Sequence, residues 1–207
     1  IDENSENLTT EQRGLLLKGY ESNERTINLI NKMLVVTRIE AGKMEYESGL
    51  MHIEDLIDAV LLDFAGIVET RHIAVSFERP EKPLPYVRAD AEKIRAVIQN
   101  LVENALYYTK ENGVVKITAV AAEGFVTVSI QDDGIGIPAR QQAGIFSKFF
   151  RADNAVKART DGSGLGLFMV KSIIDKHGGT IGFKSEENIG SMFYFTLPVA
   201  AESEKVI

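Results

Sequence analysis

The sequence predicts an α+β fold, a two-layer α/β sandwich in which helices cover one face of a mixed β-sheet, preceded by one long bundle-type α-helix. Three observations predict it. An apolar stripe with a period near 3.5 runs through residues 13–46. From about residue 52 onward, strand-like alternation and helical periodicity interleave. The 207 residues, 44% hydrophobic and 26% charged, suffice for one medium domain with an appended element. The corresponding segments are 1–48, 49–200 and a tail at 201–207.

Residues 1–12 are polar and carry no helical pattern. Leu16, Tyr20, Asn23, Ile27, Ile30, Leu34, Thr37, Ala41 and Met44 then recur at alternating steps of four and three, the seam of a bundle or coiled coil. Such a stripe demands a partner helix; a helix packed on its own domain is the alternative. Leu56, Ile57, Val60, Phe64, Ile67 and Val68 form an amphipathic helix, and residues 73–77 alternate as a strand before a loop marked by Pro80, Pro83 and Pro85. Asp90 is placed to cap a second helix whose buried face is Ile94, Val97, Ile98, Leu101, Val102 and Ala105. Strands at 114–120 and 125–131 flank Gly124 as a hairpin. A helix over 165–176 and strands over 180–185 and 191–197 complete the domain.

Composition narrows the function. No apolar run approaches the roughly 20 residues of a bilayer span, and no signal-peptide pattern opens the sequence, so a cytoplasmic location is expected. Cysteine is absent, which excludes disulfides and thiolate metal sites. The net charge of -7 argues against a nucleic-acid surface. One local exception stands out: residues 140–171 hold six basic side chains (Arg140, Lys148, Arg151, Lys157, Arg159, Lys171) against two acidic ones (Asp153, Asp161). A basic, glycine-flanked stretch in an acidic protein suits a polyanionic small ligand.

Three constellations carry chemistry. In the strand FVTVSIQD, parity puts Asp132 on the apolar face with Val126, Val128 and Ile130. A carboxylate there is costly unless donors meet it, and the following DGIGIP lets the backbone turn closely around a ligand; an adenine amino group is a suitable donor. An ordinary turn in which Asp132 or Asp133 caps backbone amides is equally compatible. On the helix NLVENALYYT, Asn100, Asn104 and Tyr108 line one face. Their amide oxygens can ligate a hard cation, with Asn104 the metal candidate, or they can simply cap neighbouring loops. GSGLGL at 162–167 opens a helix whose free N–H groups and positive dipole end can meet phosphate. It is neither a Walker loop nor a dinucleotide fingerprint. The polar segment ADNAVKARTD before it has the composition of a closing lid, or of a solvated loop.

With FSKFFRAD at 146–153 between DGIGIP and GSGLGL, these segments in this order resemble the catalytic domain of two-component sensor histidine kinases, of the GHKL or Bergerat type. NLVENALYYT resembles the N box, DDGIGIP the first glycine box, FSKFFRAD the phenylalanine box and GSGLGL the second glycine box. HGGTIGFKS and GSMFYFTLP are similar to the closing strands, and TRIEAGK at 37–43 to the end of the second helix of the dimerisation hairpin, so the resemblance covers about residues 13–198.

The resemblance implies ATP and Mg²⁺ as cofactors. Asp132 would accept from the adenine amino group, Gly134 and Gly136 would give the loop room, and Tyr108 would pack near the base. Asn104 would hold Mg²⁺ between the phosphates, with Glu103 beside it able to assist a nucleophile. Asn100 and Arg151 would contact the ligand, while Gly162, Gly164, Leu165, Gly166 and Leu167 would shape the phosphate side. The family often has lysine where Tyr107 stands; Lys148, Lys157 or Arg159 would compensate. The γ-phosphoryl group would pass to a histidine and then to a response-regulator aspartate. His52, His72 and His177 do not fit the acceptor role, so the resemblance implies an acceptor helix before residue 1 and makes the fragment half of a hairpin that forms a homodimer in a longer parent, either cytoplasmic or the cytoplasmic portion of a membrane-bound sensor. Gyrase-type relatives carry a glutamate base four residues before the metal asparagine; Asn100 stands there and favours transfer over hydrolysis. A nucleotide-dependent binding module and a GHKL-type ATPase are the competing functions.

Overall fold

The computed structural model describes residues 8–159 and 162–201. The expectations for residues 1–7 and for the tail beyond Ala201, and Thr160 and Asp161 of the expected lid, lie outside the described residues. The chain divides into two compact units, Ile1–Met44 and Glu45–Ile207.

The first unit contains α1 (Thr10–Glu40), which begins and ends earlier than the apolar stripe implies. Polar capping sets its start: Thr9 Oγ1 accepts from the Gln12 N–H at 3.2 Å, and Gln12 Oε1 accepts from the Thr9 N–H at 2.9 Å. Gly42 sets its end. With φ at +64°, its N–H reaches the Ile39 carbonyl while the Lys43 N–H reaches that of Arg38, a Schellman closure. The stripe residues Leu16, Tyr20, Ile27, Ile30 and Leu34 are between 44% and 54% exposed, the apolar surface from which a partner helix is expected.

The second unit runs β1 (Ser48–Met51), α2 (Ile53–Asp63), α3 (Ala65–Thr70), β2 (Ala74–Glu78), β3 (Val87–Asp90), α4 (Ala91–Tyr108), β4 (Val114–Ala122) and β5 (Phe125–Asp132). It continues with α5 (Asp153–Ala158), α6 (Gly166–Lys176), β6 (Ile181–Glu186) and β7 (Gly190–Pro198). Among the described residues, five strands form one sheet in the order β2-β4-β5-β7-β6, with β2 and β4 parallel and the other pairs antiparallel. This is the mixed sheet with helices that the sequence predicts.

Alternation decides which face is covered. Val115, Ile117 and Ala119 of β4, Val126, Val128 and Ile130 of β5, and Phe193, Phe195 and Leu197 of β7 are buried in one cluster with Ile94, Val97, Ile98, Leu101 and Val102 of α4 and Val170, Ile173 and Ile174 of α6. Each fully buried aliphatic side chain contributes about 1.5–3 kcal/mol. The core, and not the glycine-rich loops, therefore fixes α4 and α6 on the sheet.

Three features depart from the sequence expectations. The single helix expected across Leu56 to Val68 is two, because the chain bends at Phe64 (φ −95°, ψ 1°), and Ile67 beyond the bend is 47% exposed instead of facing the core. The strands β1 and β3 form an antiparallel ribbon too short to carry a periodic signal. Part of the expected lid is helical, as α5.

The expected cap at Asp90 is present: its carboxylate accepts from the Lys93 N–H at 3.1 Å and from the Glu47 N–H at 2.8 Å. The Asp90 N–H donates to His177 Nε2 at 3.0 Å, which leaves Nδ1 to donate to the Ile173 carbonyl at 2.8 Å, and Tyr46 meets the imidazole edge-on. These contacts tie residues 45–48 into the second unit.

Candidate functional site

Helix α4 is the spine of the site. Asn100, Asn104 and Tyr108 lie four residues apart on it and span about 12 Å along its axis. At its C-terminal end, the Tyr108 carbonyl accepts from the Ile135 N–H at 3.2 Å, which binds the DGIGIP loop to the helix. Towards its middle, Asn100 lies against the first residue of α6: a Cβ added at Gly166 would stand 2.2 Å from Asn100 Oδ1. The acid-bearing strand end, the amide-bearing helix and the glycine-opened helix thus meet along one element.

Asp132 ends β5 on the core face and is 8% exposed, as strand parity predicts. Its Oδ1 accepts from the Gly134 N–H at 2.9 Å and from the Ser191 N–H at 3.3 Å. Its Oδ2 has no hydrogen-bond partner among the described residues. Burial, helped by the nearby Asp133 charge, pushes the carboxyl up to about 6, although the two N–H donors pull the other way. A carboxylate so placed, with one oxygen satisfied and one open, is an acceptor for an amino group.

The glycines of this loop answer first to the protein's own backbone. A Cβ at Gly134 would lie 2.3 Å from the Tyr108 carbonyl oxygen, and one at Gly136, whose φ is +60°, would lie 1.9 Å from the Glu186 carbonyl oxygen. Gly136→Ala combines that overlap with a left-handed backbone, which alone costs about 1–2 kcal/mol. The expected loss is about 3 kcal/mol or more, a melting-temperature drop of about 6–12 °C for a unit of this size by calorimetry. Gly49→Ala, with nothing near its added Cβ and no positive φ, is the control and should stay within about 2 °C.

Helix α6 begins without a side-chain cap at Leu165 and without an acidic residue in its first turn, so its leading N–H groups carry no local anion. Gly164 (φ +67°) brings this turn against the Phe149 backbone, 2.7 Å from where its Cβ would be. Leu165 is fully buried and Leu167 packs on the core. Lys148 Nζ lies 5.5 Å from the centre of the Phe168 ring, beside the same turn.

The stretch leading into this turn is held from within. Arg151 donates to the carbonyls of Gly162 at 3.0 Å, Ala155 at 2.9 Å and Arg159. Arg159 is in turn 3.1 Å from Glu103 and stacks 4.0 Å over the Tyr107 ring. Of the three cations expected to offset Tyr107, it is Arg159 that stands against it, and Glu103 is engaged by that guanidinium.

Asn104 is half-buried, and its amide has no hydrogen-bond partner among the described residues; Asn100 donates to the Ala96 carbonyl at 3.3 Å. Among the described residues no group of three or more His, Cys, Asp or Glu could hold a metal ion. A single open amide oxygen on a site wall fits Mg²⁺, which takes one or two protein oxygens and completes its octahedron with phosphates and water.

Sequence reasoning missed two residues of this site. Ser191 faces Asp132 across the β5–β7 pairing and supplies one of its donors; the alternation of Ser191 with Phe193 and Phe195 would have found it. Asn154 of α5 donates to the Gly136 carbonyl at 2.8 Å and so joins the lid stretch to the acid-bearing loop; no local signal marks it. A cavity of about 300 Å³ lies elsewhere, lined by Phe125, Thr127, Thr180 and Thr196 at the opposite end of β5 from Asp132. No helix among the described residues is long and apolar enough to cross a membrane.

Comparison with known proteins identifies the family. Residues 89–201 match the family described as histidine kinase-, DNA gyrase B-, and HSP90-like ATPase. The chain is 31% identical to the sensor histidine kinase WalK of Bacillus subtilis (strain 168), over 96% of this chain and 32% of WalK. Full-length ShkA, solved in complex with AMPPNP, is similar with a TM-score of 0.80 at 31% identity, over 94% of this chain and 40% of that one. Histidine kinase ThkA, solved in complex with the response regulator protein TrrA, is similar with a TM-score of 0.67 at 32% identity, over 84% and 49%. The chain spans between 23% and 32% of the length of three curated relatives that it matches.

Proposed function

Since the chain belongs to the histidine kinase-, DNA gyrase B-, and HSP90-like ATPase family, we propose that it is the catalytic part of a sensor histidine kinase: it binds Mg-ATP and passes the γ-phosphoryl group to a histidine on a helical hairpin, for relay to a response-regulator aspartate. The observation that carries this reading is the half-satisfied, buried carboxylate of Asp132 at one end of α4, with the uncapped start of α6 against Asn100 further along the same helix.

The geometry supports the following roles. Asp132 Oδ2 takes the adenine amino proton as a hydrogen bond, and the Tyr108 ring flanks the base. Gly162, Gly164 and Gly166 admit the phosphates to the N–H groups at the start of α6, where the dipole favours negative charge. Asn104 would hold Mg²⁺, which when bound would supply positive charge to offset that of the phosphates. Lys148 and the lid residues Arg151 and Arg159 stand over the phosphate side, and closure of that stretch excludes water. The protein orients the donor and stabilises charge, the two contributions that phosphoryl transfer chiefly needs. Asn100 cannot take a proton from water, and Glu103 is paired with Arg159, so hydrolysis has no ready base.

The parent protein is proposed to act in the cytoplasm, to dimerise through the hairpin to which α1 belongs, and to engage a response regulator; any membrane attachment would come through other parts of the parent. Incubation of the chain with Mg-ATP and a separately supplied hairpin bearing an acceptor histidine tests the proposal. Acid-labile, base-stable phosphate on that hairpin is the expected result. Nucleotide binding without transfer would instead indicate a binding module, and rapid release of free phosphate an ATPase.

A further inference from the structure

The end of α4 has no cap of its own. Its C-cap, Thr109, is extended (φ −65°, ψ 142°), Lys110 and not glycine follows, and no basic residue stands in the last turn. The last carbonyls of a helix lack intrahelical partners and carry partial negative charge, so they need donors. Arg71, at the C-terminal end of α3, supplies them from 35 to 38 positions earlier in the chain. Its Nη1 donates to the Leu106 carbonyl and, at 3.3 Å, to that of Tyr107, and its Nη2 donates to the Thr109 carbonyl at 2.8 Å.

The pattern skips one carbonyl. Tyr108, between the three that Arg71 claims, gives its oxygen to the Ile135 N–H at 3.2 Å. The loop so held presents the Gly134 N–H to Asp132 Oδ1 at 2.9 Å. We propose that Arg71 is a positioning residue for recognition of the adenine amino group: by fixing the last turn of α4 it aims the Tyr108 carbonyl, the DGIGIP loop and, through that loop, the Asp132 carboxylate. The inference rests on the assignment of Asp132 as the adenine acceptor. A planar fork with donors on two nitrogens can span the carbonyls of Leu106, Tyr107 and Thr109, whereas an ammonium point charge cannot hold them in the same geometry.

The test compares ATP with inosine triphosphate, which lacks the exocyclic amino donor, by calorimetric titration of the wild type, Arg71→Lys, Asp132→Asn and the double variant. Arg71→Lys should lose about five- to twentyfold in affinity for ATP and less than about twofold for inosine triphosphate, and should lose nothing further in the Asp132→Asn background. A near-wild-type melting curve verifies the fold; Arg71→Gln serves the same comparison if Arg71→Lys does not fold. Equal losses for both nucleotides, or additive losses in the double variant, would overturn the positioning role. A wild type that prefers ATP and is sensitive to Asp132→Asn, but whose preference survives at Arg71→Lys, sinks this inference alone. A wild type indifferent to both the amino group and Asp132→Asn removes the adenine assignment, and this inference with it.

Discussion

Asp132→Asn should weaken ATP binding by about ten- to a hundredfold, the worth of a hydrogen bond to a charged acceptor, and at the same time stabilise the nucleotide-free protein above neutral pH. Both effects come from one carboxylate. Burial raises its pKa from 3.8 to about 6, so between those values the folded protein binds more protons than the unfolded chain. The group therefore favours the fold at low pH, and its contribution turns unfavourable as pH rises through about 6. Asparagine keeps an oxygen for the Gly134 and Ser191 N–H groups but cannot ionise. It relieves on the order of 1–3 kcal/mol above neutral pH, a rise of about 2–12 °C in melting temperature that should vanish below about pH 4. Its amide nitrogen would then face the adenine amino group, donor against donor. Thermal melts of the apo protein across the pH range, beside nucleotide titrations, check the pair of effects; an apo stability unchanged at high pH would remove the electrostatic account. In the wild type, ATP prefers the ionised acceptor, so its affinity should fall as pH drops below about 6.

Asn104→Ala should separate chemistry from binding. The open amide of Asn104 is the metal candidate, while the base and the phosphates have other contacts, at Asp132 and at the start of α6. Transfer to a supplied hairpin should fall at least about a hundredfold, roughly 2.7 kcal/mol at the barrier, whereas ATP affinity should fall about tenfold or less. Omission of Mg²⁺ should reproduce the transfer defect in the wild type and add little in the variant. Single-turnover phosphoryl transfer measured beside equilibrium titration decides it, and equal loss of both would count against a metal role.

What could be read without coordinates has a common character. The inward face of β5 including Asp132, the cap at Asp90, the amide face of α4 and the glycine-opened start of α6 all follow from two- or four-residue repeats, or from a turn, each encoded within a few positions. Failures began where a neighbour in the sequence stopped being the neighbour in space. The start of α1 lies outside the apolar stripe because the residues that set it, Thr9 and Gln12, are polar. The bend at Phe64 was missed because apolar residues continue through it while the core does not. Arg151 carries a guanidinium that its place beside the glycine-opened turn assigns to the ligand, and its contacts to the carbonyls of Gly162 and Ala155 are visible only in the fold.

By itself, then, the amino-acid order determined the fold class, the acid, amide and glycine constellations, and the family. Only the tertiary structure decided that Asp132 keeps one oxygen open, that Ser191 steadies the other, that Arg159 occupies Glu103 and that Arg71 caps α4. The physical reason is range. Periodicity and capping are local consequences of backbone geometry, but a buried charge is tuned by donors and charges that the fold brings to it from distant positions, 59 residues away in the case of Ser191, and no local pattern records which of them will arrive.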